Sequence, residues 1–157
     1  MVPKLTIAIV ASFLVSVAAC THTLGVGPDS PARLVERFIG GFNHLDTNEM
    51  KELFAEDATA FLPSPDHPTR VEGRDAIIAI FEPMFAAERK RHSGPDYLHL
   101  QAKGLAIQLS GGSAVATFDI GTSEVYSRRT LVIERRSGCW RIIHLHASNL
   151  RMSPSGG

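Results

Sequence analysis

Apolar side chains first recur at helical spacing, and in the second half of the chain they alternate with polar ones. Ser30-Pro31 supplies a cap and a first-turn proline, and Leu34, Val35, Phe38, Ile39 and Phe42 follow as one stripe of an amphipathic helix. Gly40-Gly41 weakens its centre by about 1 kcal/mol per glycine relative to alanine, which suits close packing. Asn43-His44-Leu45 makes a turn. Asp46 then caps a second helix, with Glu49 in capping-box spacing and Met50, Leu53 and Phe54 on its buried side. Glu56-Asp57 ends that helix, and Ala58 to Leu62 forms a short strand closed by a proline-rich loop. A third helix is expected from Arg74 to His92, buried through Ile77, Ile78, Phe81, Met84 and Phe85. Pro83 should kink or split it.

From Tyr97 onward the signal is strand-like. Tyr97 to Leu109 reads as one long strand with a bulge or bend at Gly104. Ser110-Gly111-Gly112 is a hairpin turn. Ser113 to Gly121 and Glu124 to Arg135 are the next strands, Arg136-Ser137-Gly138 is another turn, and the Trp140 strand closes the sheet. Period two divides this last strand into Trp140, Ile142, His144, His146 and Ser148 on one face, and Arg141, Ile143, Leu145 and Ala147 on the other. The first face begins apolar and ends polar, as a strand does that fills a core at one end and lines a pocket at the other. Met152 to Gly157 carries no pattern, and the tail is taken as residues 151–157.

The chain has 157 residues, 44% of them apolar and 20% charged, enough for a single globular domain. Lys and Arg total 16, as do Asp and Glu, so no charge excess points to nucleic acid. Residues 1–20 differ in composition. Lys4 is followed by an uninterrupted run from Leu5 to Ala19 that is too short for a membrane span, which needs about 20 residues, and fits the apolar core of a signal peptide. It ends in Val17-Ala18-Ala19-Cys20, similar to the bacterial lipobox, whose cysteine is lipidated after cleavage. The expectation is an exported, membrane-anchored lipoprotein of the cell envelope tethered through Cys20, with periplasmic or secreted protein as the alternative. Residues 21–29 are a flexible tether and residues 30–150 the domain. Lipidation would leave Cys139 without an intramolecular partner; a Cys20–Cys139 disulfide is the other possibility.

Three segments carry a family resemblance: Leu53-Phe54-Ala55-Glu56-Asp57-Ala58-Thr59, Val71-Glu72-Gly73-Arg74-Asp75-Ala76-Ile77, and Gly138 to Ser148 with its Trp-x-Ile-x-His-x-His-x-Ser. The chain resembles the nuclear transport factor 2-like superfamily, and within it the SnoaL-like proteins and the association domain of calcium/calmodulin-dependent protein kinase II. The resemblance implies an α+β fold, a cone of curved antiparallel sheet wrapped by three N-terminal helices, with a cavity beneath the helices. It also implies pairing as a homodimer through the open sheet face, for which Val132, Ile143 and Leu145 are the apolar candidates. The ketosteroid-isomerase branch places a tyrosine where this chain has Phe38 and an aspartate where it has Leu62. Phe38 cannot hold an enolate oxygen, and Leu62 cannot take a proton. Asp57 reads as a structural residue at a helix end.

His144 and His146 lie roughly 6.6 Å apart along the strand at about 3.3 Å per residue. Metal binding would need a third ligand, and Asp119, His99 and Glu124 stand at no diagnostic spacing, so no metal or other cofactor is assigned. If the chain is an enzyme, His144 or His146 would be its acid/base with Asp119 or Tyr126 as partner. The alternative has the pair hydrogen-bonding to neighbouring strands. Tyr97, His99, Tyr126, Arg128 and Trp140 are the candidates for contact with an unidentified small molecule. Arg128 and Arg129 point to opposite faces, so at most one enters the cavity, and an arginine there would favour a carboxylate. The leading expectation is a ligand-binding module without a recognisable catalytic set; enzyme and assembly module are the alternatives.

Overall fold

The first helix, α1 (Pro31–Asn43), begins where Ser30 Oγ accepts the Arg33 N–H and buries Leu34, Val35, Phe38, Ile39 and Phe42. We describe a computed structural model covering residues 29–121 and 125–151; the expected leader, most of the expected tether, residues 122–124 with Glu124, and the tail from Met152 lie outside the described residues. Helix α2 (Thr47–Leu53) is capped by Asp46, whose carboxylate accepts from the N–H groups of Asn48 and Glu49. The chain passes directly into strand β1 (Phe54–Phe61). The helix therefore stops before Glu56-Asp57, and Asp57 is an exposed strand residue 3.7 Å from Arg136 rather than a helix end. Phe54, expected on the helical stripe, is a fully buried strand residue, a pattern that either element can produce over a short apolar run.

After the short strand β2 (Val71–Glu72), helix α3 (Arg74–Arg91) runs unbroken through Pro83 and buries Ile77, Ile78, Phe81 and Phe85. Pro83 is exposed, and Met84, expected inside, is 42% exposed at the rim of a cleft. The expected strand at Tyr97 begins only at Lys103. Residues 97–102 are irregular because their backbone pairs with the end of α1. Asn43 Nδ2 donates to the Leu100 carbonyl at 3.1 Å, its Oδ1 accepts the Leu100 N–H at 2.8 Å, and its own carbonyl accepts from Leu98.

Strands β3 (Lys103–Ser110), β4 (Ser113–Gly121), β5 (Val125–Arg136) and β6 (Cys139–Arg151) complete a sheet in the order β2-β1-β6-β5-β4-β3. The β1–β6 pair is parallel and the others antiparallel, so the curved, unclosed sheet is mixed rather than wholly antiparallel. Gly104, at φ 62°, sits at the β3 bulge expected there. Ser137 and Gly138 both take positive φ in the tight turn before β6, as a primed hairpin requires. Cys139 is buried and disulfide-bonded; the sequence's other cysteine, Cys20, lies outside the described residues. No helix among the described residues is long and apolar enough to cross a membrane.

The three helices cover one sheet face. Phe38 sits at its centre, with ring centroids 5.2, 6.4 and 6.3 Å from those of Phe42, Phe54 and Phe118. A bulge in β6 governs everything downstream of it. Ile133 pairs with Ile142 but Val132 pairs with His144, so Ile143 is the extra residue. One inserted residue reverses which face the following side chains take. Trp140 and Ile142 are buried as expected, but beyond the bulge it is Leu145 and Ala147 that enter the core. His144, His146 and Ser148 are therefore turned to the outer face, where Leu145 is not available for pairing with another molecule.

Candidate functional site

The cavity lies at the end of the molecule where α1 finishes. Phe42 and Leu45 come from that end, Met84, Phe85 and Glu88 from α3, and Leu98 and Leu100 from the segment pinned by Asn43. Ile120 and Gly121 of β4 and Ser127 and Arg129 of β5 form the sheet side. The cleft has a volume of about 350 Å³, within the size of small-molecule sites. Its aromatic wall is built by Phe42 and Phe85, with ring centroids 5.4 Å apart, and buried Phe81 packs against both at 5.3 and 6.0 Å.

The polar groups of this cleft are few. Ser127 is buried and donates its hydroxyl to Asn149 Oδ1 at 2.5 Å. Arg129 Nη1 donates to the carbonyl of Arg128 at 2.9 Å. Burial pushes the Arg129 pKa down from the usual arginine range, although a guanidinium keeps its charge. Glu88 borders the cleft but is held by Arg91 at 2.9 Å and His92 at 3.3 Å. Arg89 donates to the Leu45 carbonyl at the same rim.

A second, wider groove of about 690 Å³ runs beside it between the end of α3 and residues 96–103. Tyr97 and His99 border it, with Arg91, His92 and Lys103. Most of its charged side chains are exposed, and Arg91, His92 and Asp96 are already ion-paired. We take the smaller, more apolar cleft as the candidate site because its polar groups are few, desolvated and directed inward.

The histidines are elsewhere. His144 Nδ1 shares a 2.7 Å hydrogen bond with Thr59 Oγ1, and Phe61 stands edge-on to its ring at 5.7 Å between centroids. Desolvation, then the nearby His146 and Arg70, lowers the His144 pKa. His146 is exposed. Asp119 shares the outer face but accepts its hydrogen bond from the Tyr126 hydroxyl at 2.7 Å, which pushes the phenol pKa up. Neither imidazole hydrogen-bonds to Asp119 among the described residues, so the expected acid/base set is not assembled. Among them, no group of three His, Cys, Asp or Glu side chains is placed to hold a metal.

Of the ligand-contact candidates, Tyr126 and Arg128 are on the outer face and exposed. Trp140 is in the core under the Arg135 guanidinium, 5.0 Å from its ring, far along α1 from the cleft. Tyr97 and His99 border the wider groove and do not line the cleft. Arg129, Ser127, Phe42 and Phe85 form the site instead. Arg129 was within reach of sequence reasoning, since of two adjacent strand arginines one must face inward. Which of the two does so depends on the register.

Three helices on one face of a curved, unclosed mixed sheet, with a cleft at the open end, define a nuclear transport factor 2-like fold. The model for the SnoaL-like domain matches residues 32–152, and the chain belongs to that family. Among solved structures it is similar to a nuclear transport factor 2-like protein of unknown function from Pseudomonas putida KT2440, at 22% identity and a TM-score of 0.62, covering 74% of this chain and 82% of that one. It is also similar to a protein from Thiobacillus denitrificans ATCC 25259 provisionally named a calcium/calmodulin-dependent protein kinase type II association domain, at 21% identity and a TM-score of 0.63, covering 78% and 97%. A third, from Parabacteroides distasonis ATCC 8503 and provisionally named a ketosteroid isomerase, shares 21% identity at a TM-score of 0.60, covering 76% and 87%. No curated protein matches the chain. At the isomerase positions inferred from the sequence, Phe38 is sealed in the aromatic core and Leu62 is partly buried against it.

Proposed function

We propose that this protein is an exported small-molecule-binding module that takes its ligand in the cleft between α1, α3 and the sheet. The observation that carries this reading is an apolar cleft of about 350 Å³ with one desolvated cation, on a domain whose paired imidazoles His144 and His146 lie on the opposite face. A catalytic reading through His144 or His146 has neither a cavity nor a carboxylate partner among the described residues. A thermal-shift screen of small neutral and charged lipophiles tests the binding reading. Stabilisation by some compounds is the expected result, and no shift at millimolar concentration overturns it.

Export is supported by the leader-like residues 1–20 and by the bonded Cys139, since disulfides persist in oxidising compartments. The lipobox-like sequence supports a lipid anchor at Cys20, whereas the bonded Cys139 supports a disulfide to it. Both consume the same thiol, so they exclude each other. The intact mass of the protein decides: a diacylglyceryl addition supports the anchor, and a mass two hydrogen atoms below that of the reduced chain supports the disulfide.

A second reading, homodimerisation, is favoured by the outer sheet face. Phe61, Tyr126 and Leu150 are 42%, 41% and 44% exposed there, with Val132 beside them.

A further inference from the structure

We infer that the ligand is a monocarboxylate with a compact apolar body, its carboxylate seated on the Arg129 guanidinium and its body against Phe42, Phe85 and Ile120. This rests on the reading that the cleft binds small molecules, and it specifies the class. Arg129 is on the inner sheet face, half-buried, and no carboxylate of the described residues lies within ion-pairing distance of it. Its one hydrogen bond among the described residues uses a single N–H of Nη1, and a guanidinium carries five donors. The remaining donors form a fork that two carboxylate oxygens match.

Alternative partners for the charge are occupied. Glu88, the carboxylate bordering the cleft, is bound by Arg91 and His92 on its own helix. The Ser127 hydroxyl already donates its one hydrogen to Asn149 Oδ1, so it offers lone pairs and no donor to an anion. The charge of the occupant follows from this count. A dianion such as a phosphate ester would bring one negative charge more than Arg129 can neutralise into an apolar cleft. A neutral molecule would leave a desolvated cation uncompensated. A single negative charge balances the site. The rim formed by the last turn of α3, with Arg89 and Arg91, adds positive field in the direction of approach.

The size of the occupant follows from volume. A cleft of about 350 Å³ holds about a dozen non-hydrogen atoms at the roughly 30 Å³ of a water-sized group in a liquid. Octanoate and phenylacetate fall near that size, and the aromatic wall suits either.

The test is calorimetric titration of the purified protein with octanoate and phenylacetate, against octanamide and phenylacetamide as neutral isosteres. The expected result is that at least one carboxylate binds tenfold or more tightly than its amide. Arg129→Met should abolish that preference, while Arg33→Met, a solvent-facing cation on α1, should preserve it. Equal binding of acid and amide overturns the carboxylate assignment but leaves the cleft as a site. A carboxylate preference that survives in Arg129→Met overturns the role of Arg129. No binding by any of the four overturns this inference, and only if the broader screen is also empty does the cleft reading fall with it. The acid–amide comparison needs no variant, so it stands even if Arg129→Met does not fold.

Discussion

Leu45 takes φ 55°, a conformation that costs a non-glycine residue about 1–2 kcal/mol. It does so because α1 ends in a Schellman turn: the Leu45 N–H donates to Phe42 and the Asp46 N–H to Gly41. Glycine is usual at that position. Leucine is tolerated because its side chain is fully buried and lines the cleft, a gain of about 1.5–3 kcal/mol. Leu45→Ala keeps the strain and loses the burial, so it should cost about 2–5 kcal/mol in urea unfolding. Leu45→Gly should cost about 1 kcal/mol less than Leu45→Ala, and an equal cost for both would deny the strain. His144 makes a different prediction. Its folded pKa lies below the ordinary 6.5, so the unfolded chain binds more protons as pH falls through that value, and stability falls with it. The thermal midpoint should therefore drop between pH 7 and pH 5, and the drop should be smaller in His144→Gln.

The elements divide into those whose signals are local and those set by tertiary pairing. Helix α1 and strand β4 were legible, the first from Ser30-Pro31 and its stripe, the second from uninterrupted alternation between Gly112 and Gly121. The irregular lip at residues 97–102 was not, because its backbone is satisfied by the side chain of Asn43 rather than by a strand, and no periodicity records that. Nor was the bulge at Ile143 legible. Ile142 and Ile143 are both apolar, so the alternation could pass through either, and the pairing with β5 decided which was extra. That single residue moved the paired imidazoles from the expected pocket to the opposite face. The double glycine of α1 was read correctly only in part. A Cβ at Gly41 would lie 2.6 Å from Met50 Sδ, whereas one at Gly40 would meet nothing within 4 Å. Gly41→Ala should therefore destabilise the protein by forcing the buried Met50 to move, and Gly40→Ala should stabilise it by about 0.5–1 kcal/mol. Chemical denaturation of the two variants should give shifts of opposite sign.

On the scale of the whole molecule, α1 links two ends of different character. Its start lies by the Trp140–Arg135 stack, where Asp29 stands 3.6 Å from Arg135, and its finish forms the cleft. Across the sheet from the helices, the outer face carries side chains from β1, β4, β5 and β6 but no covering element among the described residues. Its composition is mixed: Thr59, Thr130 and His146 lie among Phe61, Val132, Tyr126 and Leu150. The apolar members are shared among strands rather than gathered on one, so only a partner spanning the sheet would bury them together. Sedimentation at tens of micromolar and neutral pH should therefore show a dimer, and a clean monomer removes that reading. Phe61→Lys with Leu150→Lys should shift the protein toward monomer. Because both side chains are more than two-fifths exposed in the single chain, the domain's own core loses little by the exchange. A variant that unfolds instead of dissociating would show that these residues hold the domain itself together.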